Sequence, residues 1–166
     1  MKVAVPLAPS ELLLAANVGI MRHIQDTKKG LRDAHGAKSE KNGWQLHITG
    51  AIGELVVAKH LGLYWNGAIG NLDADDVGPY QVRTRLAGYR DIHLLLHRND
   101  PPDRPFFLVS GSGLAYNIHG WIMGGEGQNE KFWGDPYNTN RPAFWVPEGV
   151  LQDCTDFHPL TEDSLA

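Results

Sequence analysis

The stretch that decides the fold is HITGAIGELVVAKHLG, residues 47–62, an almost wholly apolar segment with one acid. At 100° per residue its apolar side chains between Ile48 and Ala58 share one broad face, which predicts a helix over residues 48–62. Glu54 falls outside that face, among small and apolar neighbours, so we expect a partly buried carboxylate. Because burying an unpaired carboxylate is costly, Glu54 needs a metal, a cation or hydrogen-bond donors.

Two glycines in the middle of this helix indicate that something approaches its backbone closely. Gly50 and Gly53 each cost about 1 kcal/mol relative to alanine, a cost usually accepted where space is short. The neighbour is either a sheet or a substrate. A structural ion pair between Glu54 and an arginine is the plain alternative to a functional site.

An aspartate-rich turn and a polar strand follow the helix. Asp73, Asp75 and Asp76 precede Gly78-Pro79, which marks a turn into a strand beginning at Tyr80. Side chains on a strand alternate between its two faces. One face therefore carries Tyr80, Val82 and Thr84, and the other carries Gln81, Arg83 and Arg85.

These residues resemble the PD-(D/E)XK, or restriction-endonuclease-like, superfamily, and more narrowly small tailed-phage proteins of that type. The family pattern is a helix glutamate, an aspartate and then Glu-x-Lys on a strand; here Glu54, Asp76 and Gln81-x-Arg83 occupy those places. The likeness to the phage proteins extends over roughly positions 15 to 150, through four short strings: GAIGE at 50–54, DVG at 76–78, QVRT at 81–84 and HGWI at 119–122.

The resemblance implies an α/β (α+β) fold, with a mixed sheet flanked by helices and a helical N-terminal part before a strand-rich half. It also implies hydrolysis of DNA phosphodiester bonds with Mg²⁺ or Mn²⁺. The expected metal ligands are Asp76, Glu54, the Val82 carbonyl and Gln81. Asp75 is the alternative metal ligand if Asp76 does not bind the ion. His47 is a further candidate site residue because it lies on the Glu54 side of the helix.

Two departures from the family pattern change the chemistry that the site can perform. Gln81 replaces an acid and removes one negative charge, although an amide oxygen still ligates Mg²⁺. Arg83 replaces lysine; since a guanidinium stays protonated, it cannot be a general base, and its expected role is to clamp a phosphate. The alternative is a catalytically inactive nucleic-acid- or protein-binding module, in which Glu54 and Arg83 form a structural ion pair.

Length and composition predict one domain over residues 1–166. It would comprise an N-terminal helix and basic loop at 1–45, a core at 46–150 and an acidic tail at 151–166. A net charge of −4 argues against a non-specific nucleic-acid coat. Even so, we expect the DNA backbone to contact local basic residues: Arg83, Arg85, Lys28, Lys29 and Lys41.

The single cysteine, Cys154, excludes an internal disulfide and suits a reducing cytoplasm, that of the host cell if a phage encodes the chain. No stretch approaches the ~20 apolar residues of a membrane span, so we expect a soluble protein.

The remaining pattern predicts one more helix and several strands. The helix begins at Pro9 and ends near Lys29, with an apolar face formed by Leu13, Ala16, Ile20 and Ile24. Strands are expected at 63–65, 80–85, 91–97, 105–110 and 116–123. With no helix between 85 and 123, these strands predict a meander.

Overall fold

The computed structural model describes residues 2–29, 43–69, 75–88, 91–155, 157 and 159. The elements, in chain order, are β1 (Val3–Pro6), α1 (Pro9–Lys28), α2 (Gly43–Leu61), β2 (Gln81–Leu86), β3 (His93–Leu96), β4 (Pro105–Ser112), β5 (Ala115–Met123), α3 (Gly124–Gly127), β6 (Trp133–Gly134) and β7 (Ala143–Pro147). Two helices thus precede a strand-rich half, and the expected α+β class is confirmed. Within the described ranges, no helix is long and apolar enough to cross a membrane.

The two long helices pack through small residues. Ala15 and Gly19 are the buried residues of α1, whereas Leu13, which was predicted to face the core, is 62% exposed. The prediction was wrong because a β-carbon at Gly19 would collide with the backbone at Ile48, so α1 and α2 meet backbone to backbone. The second helix begins at Gly43, five residues before the predicted start.

The main sheet has four strands in the order β1-β5-β4-β2. Strands β4 and β5 are antiparallel, as are β1 and β5, but β2 runs parallel to β4. The predicted meander is therefore wrong at this point, because the chain leaves the sheet after β2 to form β3 before returning as β4. The predicted strand at 63–65 is also not formed.

Each face of this sheet is covered by a different layer. The helices pack on one face, where Val82 and Phe107 share a core with Ile52 and Val56. A second sheet, in the order β3-β7-β6, supplies the core on the other face. That core consists of Leu94, Leu96, Phe106, Leu108, Ile122, Phe144 and Val146.

Strand β2 alternates as predicted. Val82 lies in the helix-side core, and Thr84 lies against Gly53 of α2. On the other face, the Arg83 guanidinium lies 5.0 Å from the Phe106 ring centroid, and that of Arg85 lies 5.9 Å from the Trp145 ring centroid. The cationic face of β2 thus points toward the second sheet and away from Glu54.

Candidate functional site

The buried acid of α2 is held by an arginine of α1. Glu54 is only 5% exposed, because Gly53 lets the helix lie directly on β2 at Thr84. Arg22 donates two hydrogen bonds to the Glu54 carboxylate, Nη1 to Oε1 at 2.5 Å and Nη2 to Oε2 at 2.8 Å. The Trp65 indole N–H donates a third, to Oε2 at 3.0 Å. The partner of Glu54 is therefore Arg22, and the alternative that paired Glu54 with Arg83 is wrong.

Arg22 is itself fixed in place by the segment that follows α2. Its Nε donates to the Ala68 carbonyl at 2.8 Å, so all three guanidinium nitrogens are engaged. Burial alone would lower the pKa of Arg22, but the hydrogen bonds and negative charge of Glu54 outweigh that effect and raise it. The guanidinium is a permanent cation at this position.

Asp76 lies beside this ion pair, just before the turn that leads into β2. A tight turn joins Val77 to Tyr80, and the Asp76 N–H donates to the Tyr80 carbonyl at 3.0 Å. Burial raises the pKa of Asp76 to about 6, and the negative charge of Glu54 adds to the increase, although the Val82 N–H, Arg83 and Arg22 act in the opposite direction. Glu54 is thus close enough to raise the pKa of Asp76, and we call the two residues the acid pair.

The backbone of Val82 is directed toward the same place. Strand β2 is the last strand of its sheet among the described residues, so one of its edges is free of strand partners. Val82 donates its N–H to Asp76 Oδ2 at 2.7 Å instead of to β4. Because the N–H and C=O of one residue in a parallel strand point the same way, the Val82 carbonyl also faces this edge, beside the carboxylate of Asp76.

The other predicted ligands lie elsewhere. Gln81 Nε2 donates to Asp75 Oδ1 at 2.9 Å, and Arg104 forms an ion pair with Asp75 at 3.2 Å, so Asp75 and Gln81 belong to a separate polar group. Arg83 Nη2 donates to Asp100 Oδ1 at 2.8 Å.

The ion pair with Arg83 depends on an ionised Asp100. Burial would raise the pKa of Asp100, but hydrogen bonds from His97 and the charge of Arg83 outweigh it and lower the value to about 2. Arg83 thus has a fixed carboxylate partner of its own, on the face of β2 opposite Glu54.

The predicted DNA-contacting cations do not gather around the acid pair. Lys28 and Lys29 are exposed at the C-terminal end of α1, ~9 Å along the helix from Arg22. Arg85 is directed toward the second sheet, and Lys41 lies outside the described residues. His47 lies two helical turns before Glu54, with its Nε2 3.4 Å from Asp26.

The donor chemistry at the acid pair fits a hard divalent cation. Asp76 Oδ1 accepts no hydrogen bond from any residue that the structure describes, and the neighbouring donors are a carbonyl and a second carboxylate. Mg²⁺ typically takes one or two carboxylates and keeps several waters, so Asp76 and the Val82 carbonyl are the groups that could hold it here; Arg83 Nη1 also donates to that carbonyl, at 3.4 Å. In the described part of the chain, no three His, Cys, Asp or Glu side chains converge as a metal-binding group.

Sequence reasoning missed Arg22 and Trp65, which between them satisfy Glu54. A signal for Arg22 was present, since it is the sole arginine in the helix before α2 and a buried acid requires a cation. Trp65 had no such signal, because its approach to Glu54 depends on the path of the chain after α2. No protein-family model, curated protein sequence or solved structure matches this chain.

Proposed function

We propose that this protein hydrolyses phosphodiester bonds of DNA with a divalent cation bound at the acid pair. The observation that carries the proposal is the convergence of Glu54 and Asp76 beside the Val82 carbonyl at the free edge of β2. Carboxylates whose pKa is raised by burial and a neighbouring charge cluster at functional sites, which makes Asp76 a candidate. The resemblance of the motif residues to the PD-(D/E)XK pattern supplies the substrate class.

Each residue of the site has a distinct part in this proposal. Asp76 and the Val82 carbonyl would hold Mg²⁺ or Mn²⁺, whose chemistry is to lower the pKa of a bound water and to stabilise charge on the phosphate. Glu54 stays bound to Arg22 and acts through a water molecule instead of as a direct ligand. Arg83 fixes the course of β2 through Asp100, in place of the phosphate clamp expected from its sequence position.

A second candidate function is DNA or protein binding without cleavage. The observation that favours it is the commitment of both Glu54 oxygens to Arg22 and Trp65, which satisfies this acid without any metal. In this case Arg22 takes the place of the divalent cation and the site is a structural remnant. The two candidates differ in what Asp76 does, so the experiment is built on Asp76.

The test is a cleavage assay on supercoiled, linear and single-stranded DNA in the presence of Mg²⁺ or Mn²⁺. Asp76→Asn removes the charge and keeps an acceptor for the Val82 N–H. Asp75→Asn is the matched control, since Asp75 is the adjacent residue in the chain but bonds Gln81 and Arg104.

The nuclease proposal predicts that the wild type cleaves DNA and that EDTA abolishes this cleavage. Asp76→Asn should reduce the cleavage rate on the order of 10²-fold or more, whereas Asp75→Asn should leave it unchanged. Cleavage that is unchanged in Asp76→Asn would come from a contaminant or another site and refutes the assignment. If no substrate is cut while labelled DNA still binds in EDTA, with an affinity that falls with salt, the binding module is the correct function.

A further inference from the structure

A serine, a histidine and a glutamate are aligned in a chain of hydrogen bonds away from the acid pair. Ser110 Oγ lies 2.6 Å from His119 Nε2, and His119 Nδ1 lies 3.0 Å from Glu148 Oε1. Ser110 and His119 are 9% and 7% exposed. The Glu148 side chain is 32% exposed, so the chain of bonds runs from the surface inward. We call these three residues the serine relay.

The relay depends on an irregularity in the hairpin of β4 and β5. Leu108 pairs with Gly120 and Val109 pairs with Ile118, so His119 is an extra residue with no partner across the ladder. Such a β-bulge redirects a side chain and often occurs next to active sites. Gly120 permits the bulge, because its φ of 141° is one that residues with a side chain rarely adopt.

The hydrogen bonds fix how the imidazole carries its proton. Burial would raise the pKa of Glu148, but hydrogen bonds from His119 and Lys2 outweigh burial and lower it, so the residue is a carboxylate at neutral pH. A carboxylate only accepts, so Nδ1 of His119 carries the hydrogen. In the neutral imidazole Nε2 is then the basic nitrogen, and it accepts the hydroxyl hydrogen of Ser110.

A hydrogen-bond donor for an oxyanion lies opposite the serine, on strand β5. Asn117 is the direct cross-strand partner of Ser110, which places both side chains on the same face of the sheet. Asn117 is half-buried, and none of the described residues hydrogen-bonds its amide group. A side-chain amide in this position can donate to an oxyanion.

We propose that the serine relay is a second catalytic site, in which Ser110 is the nucleophile for transfer of an acyl group from a carboxylic ester. His119 is the general base, Glu148 orients it, and Asn117 stabilises the oxyanion. The site is separate from the acid pair. Phe107 is the β4 residue opposite Val82, and it precedes Ser110 by three residues, which is ~10 Å along the strand. The side chains of Phe107 and Ser110 lie on opposite faces of the sheet. The proposal therefore does not depend on nuclease activity.

The reaction balances with the groups present. Ser110 Oγ attacks the ester carbonyl carbon while its proton passes to His119 Nε2. The bond to the alkoxide then breaks, and the alkoxide leaves with that proton, which gives an acyl-serine and a free alcohol. A water molecule repeats the sequence, releasing the carboxylic acid and restoring the Ser110 hydroxyl.

The experiment is active-site labelling of the full chain with an alkyl fluorophosphonate, in which the serine oxygen replaces fluoride on phosphorus and the proton leaves with fluoride. Intact-mass and peptide-mass spectrometry then give the stoichiometry and the labelled residue. Ser110→Ala is the test variant. Ser112→Ala is the matched control, because Ser112 is an exposed serine two residues further along β4.

We expect one adduct per chain, at Ser110, in the wild type and in Ser112→Ala, and none in Ser110→Ala. We also expect His119→Gln to lower the labelling rate on the order of 10²-fold, because the base is lost. Absence of an adduct in folded wild-type protein, or an adduct at another residue, overturns the proposal. Peptide mapping of the wild type decides the matter even if a variant does not fold.

Discussion

Asp76→Asn is expected to stabilise the protein, by an amount that grows from about pH 4 and is complete above about pH 6. In the folded chain the pKa of Asp76 rises from 3.8 to about 6. At 1.36 kcal/mol per pKa unit, ionising this carboxyl in the folded state costs ~3 kcal/mol more than in the unfolded state. This cost arises because the ionised carboxyl is buried and lies near the negative charge of Glu54. An asparagine never ionises, so the variant does not incur the cost.

The sign of the pH dependence follows from proton counting. Between pH 4 and pH 6 the folded wild type retains a proton on Asp76 that the unfolded chain has lost, so its free energy of unfolding falls as the pH rises through this window. Above pH 6 the full penalty is present. Asp76→Asn should therefore raise the free energy of unfolding by ~2–3 kcal/mol at pH 8 and by less than about 1 kcal/mol at pH 4.

Urea unfolding at the two pH values, in EDTA and followed by circular dichroism, measures this difference directly. Asp75→Asn serves as the control: Asp75 forms a half-exposed ion pair with Arg104, so its loss should cost no more than about 1 kcal/mol, with the same sign at both pH values. A gain for Asp76→Asn that is equal at pH 4 and pH 8, or a loss at pH 8, would show that the pKa of Asp76 is not raised in the folded protein.

Further predictions concern the helix contacts that build the site, and urea unfolding again measures each one. Gly53→Ala should destabilise the protein by ~1–3 kcal/mol, because the new methyl group collides with Thr84. Gly50→Ala should instead stabilise it by about 0.5–1 kcal/mol, since no atom outside the helix lies within 4 Å of that methyl position; equal effects at the two glycines would contradict the packing of α2 on β2. Arg22→Met should cost ~3–5 kcal/mol by leaving Glu54 buried and uncompensated. Combined with Glu54→Leu it should recover most of that loss, and additive losses would show that the two residues do not act as a pair.

Local patterns correctly predicted α1, α2 and strands β2 to β5, but they predicted a strand at 63–65 that is not formed and missed β1, β6 and β7. The apolar period of residues 48–62 identified α2, and the neighbours of Glu54 along the helix correctly indicated that it is buried. The alternation from Tyr80 onward identified β2 and its two faces. Both features depend on side chains within a few residues of one another, which is the range over which helix and strand periodicity operates.

Features set by distant contacts were not predictable in this way. Leu13 belongs to the regular apolar stripe of α1, yet the buried face of that helix is set by Gly19, which allows the closest approach to α2. Nothing within β2 or β4 indicates that the two are parallel. The alignment of Ser110 with His119 depends on the register of a bulged hairpin, which no strand pattern specifies.

The charges at the acid pair link the two candidate functions of the site. Arg22 is paired with Glu54 and acts on Asp76 only through its charge, while Arg83 is paired with Asp100. The pair therefore carries one negative charge more than its own cation compensates. Below pH 6 a proton on Asp76 removes that excess, and above pH 6 either the protein bears the electrostatic cost or a second cation arrives. Arg22 by itself cannot make the site neutral. The ion pair between Arg22 and Glu54 is consequently compatible with the metal-dependent function proposed above.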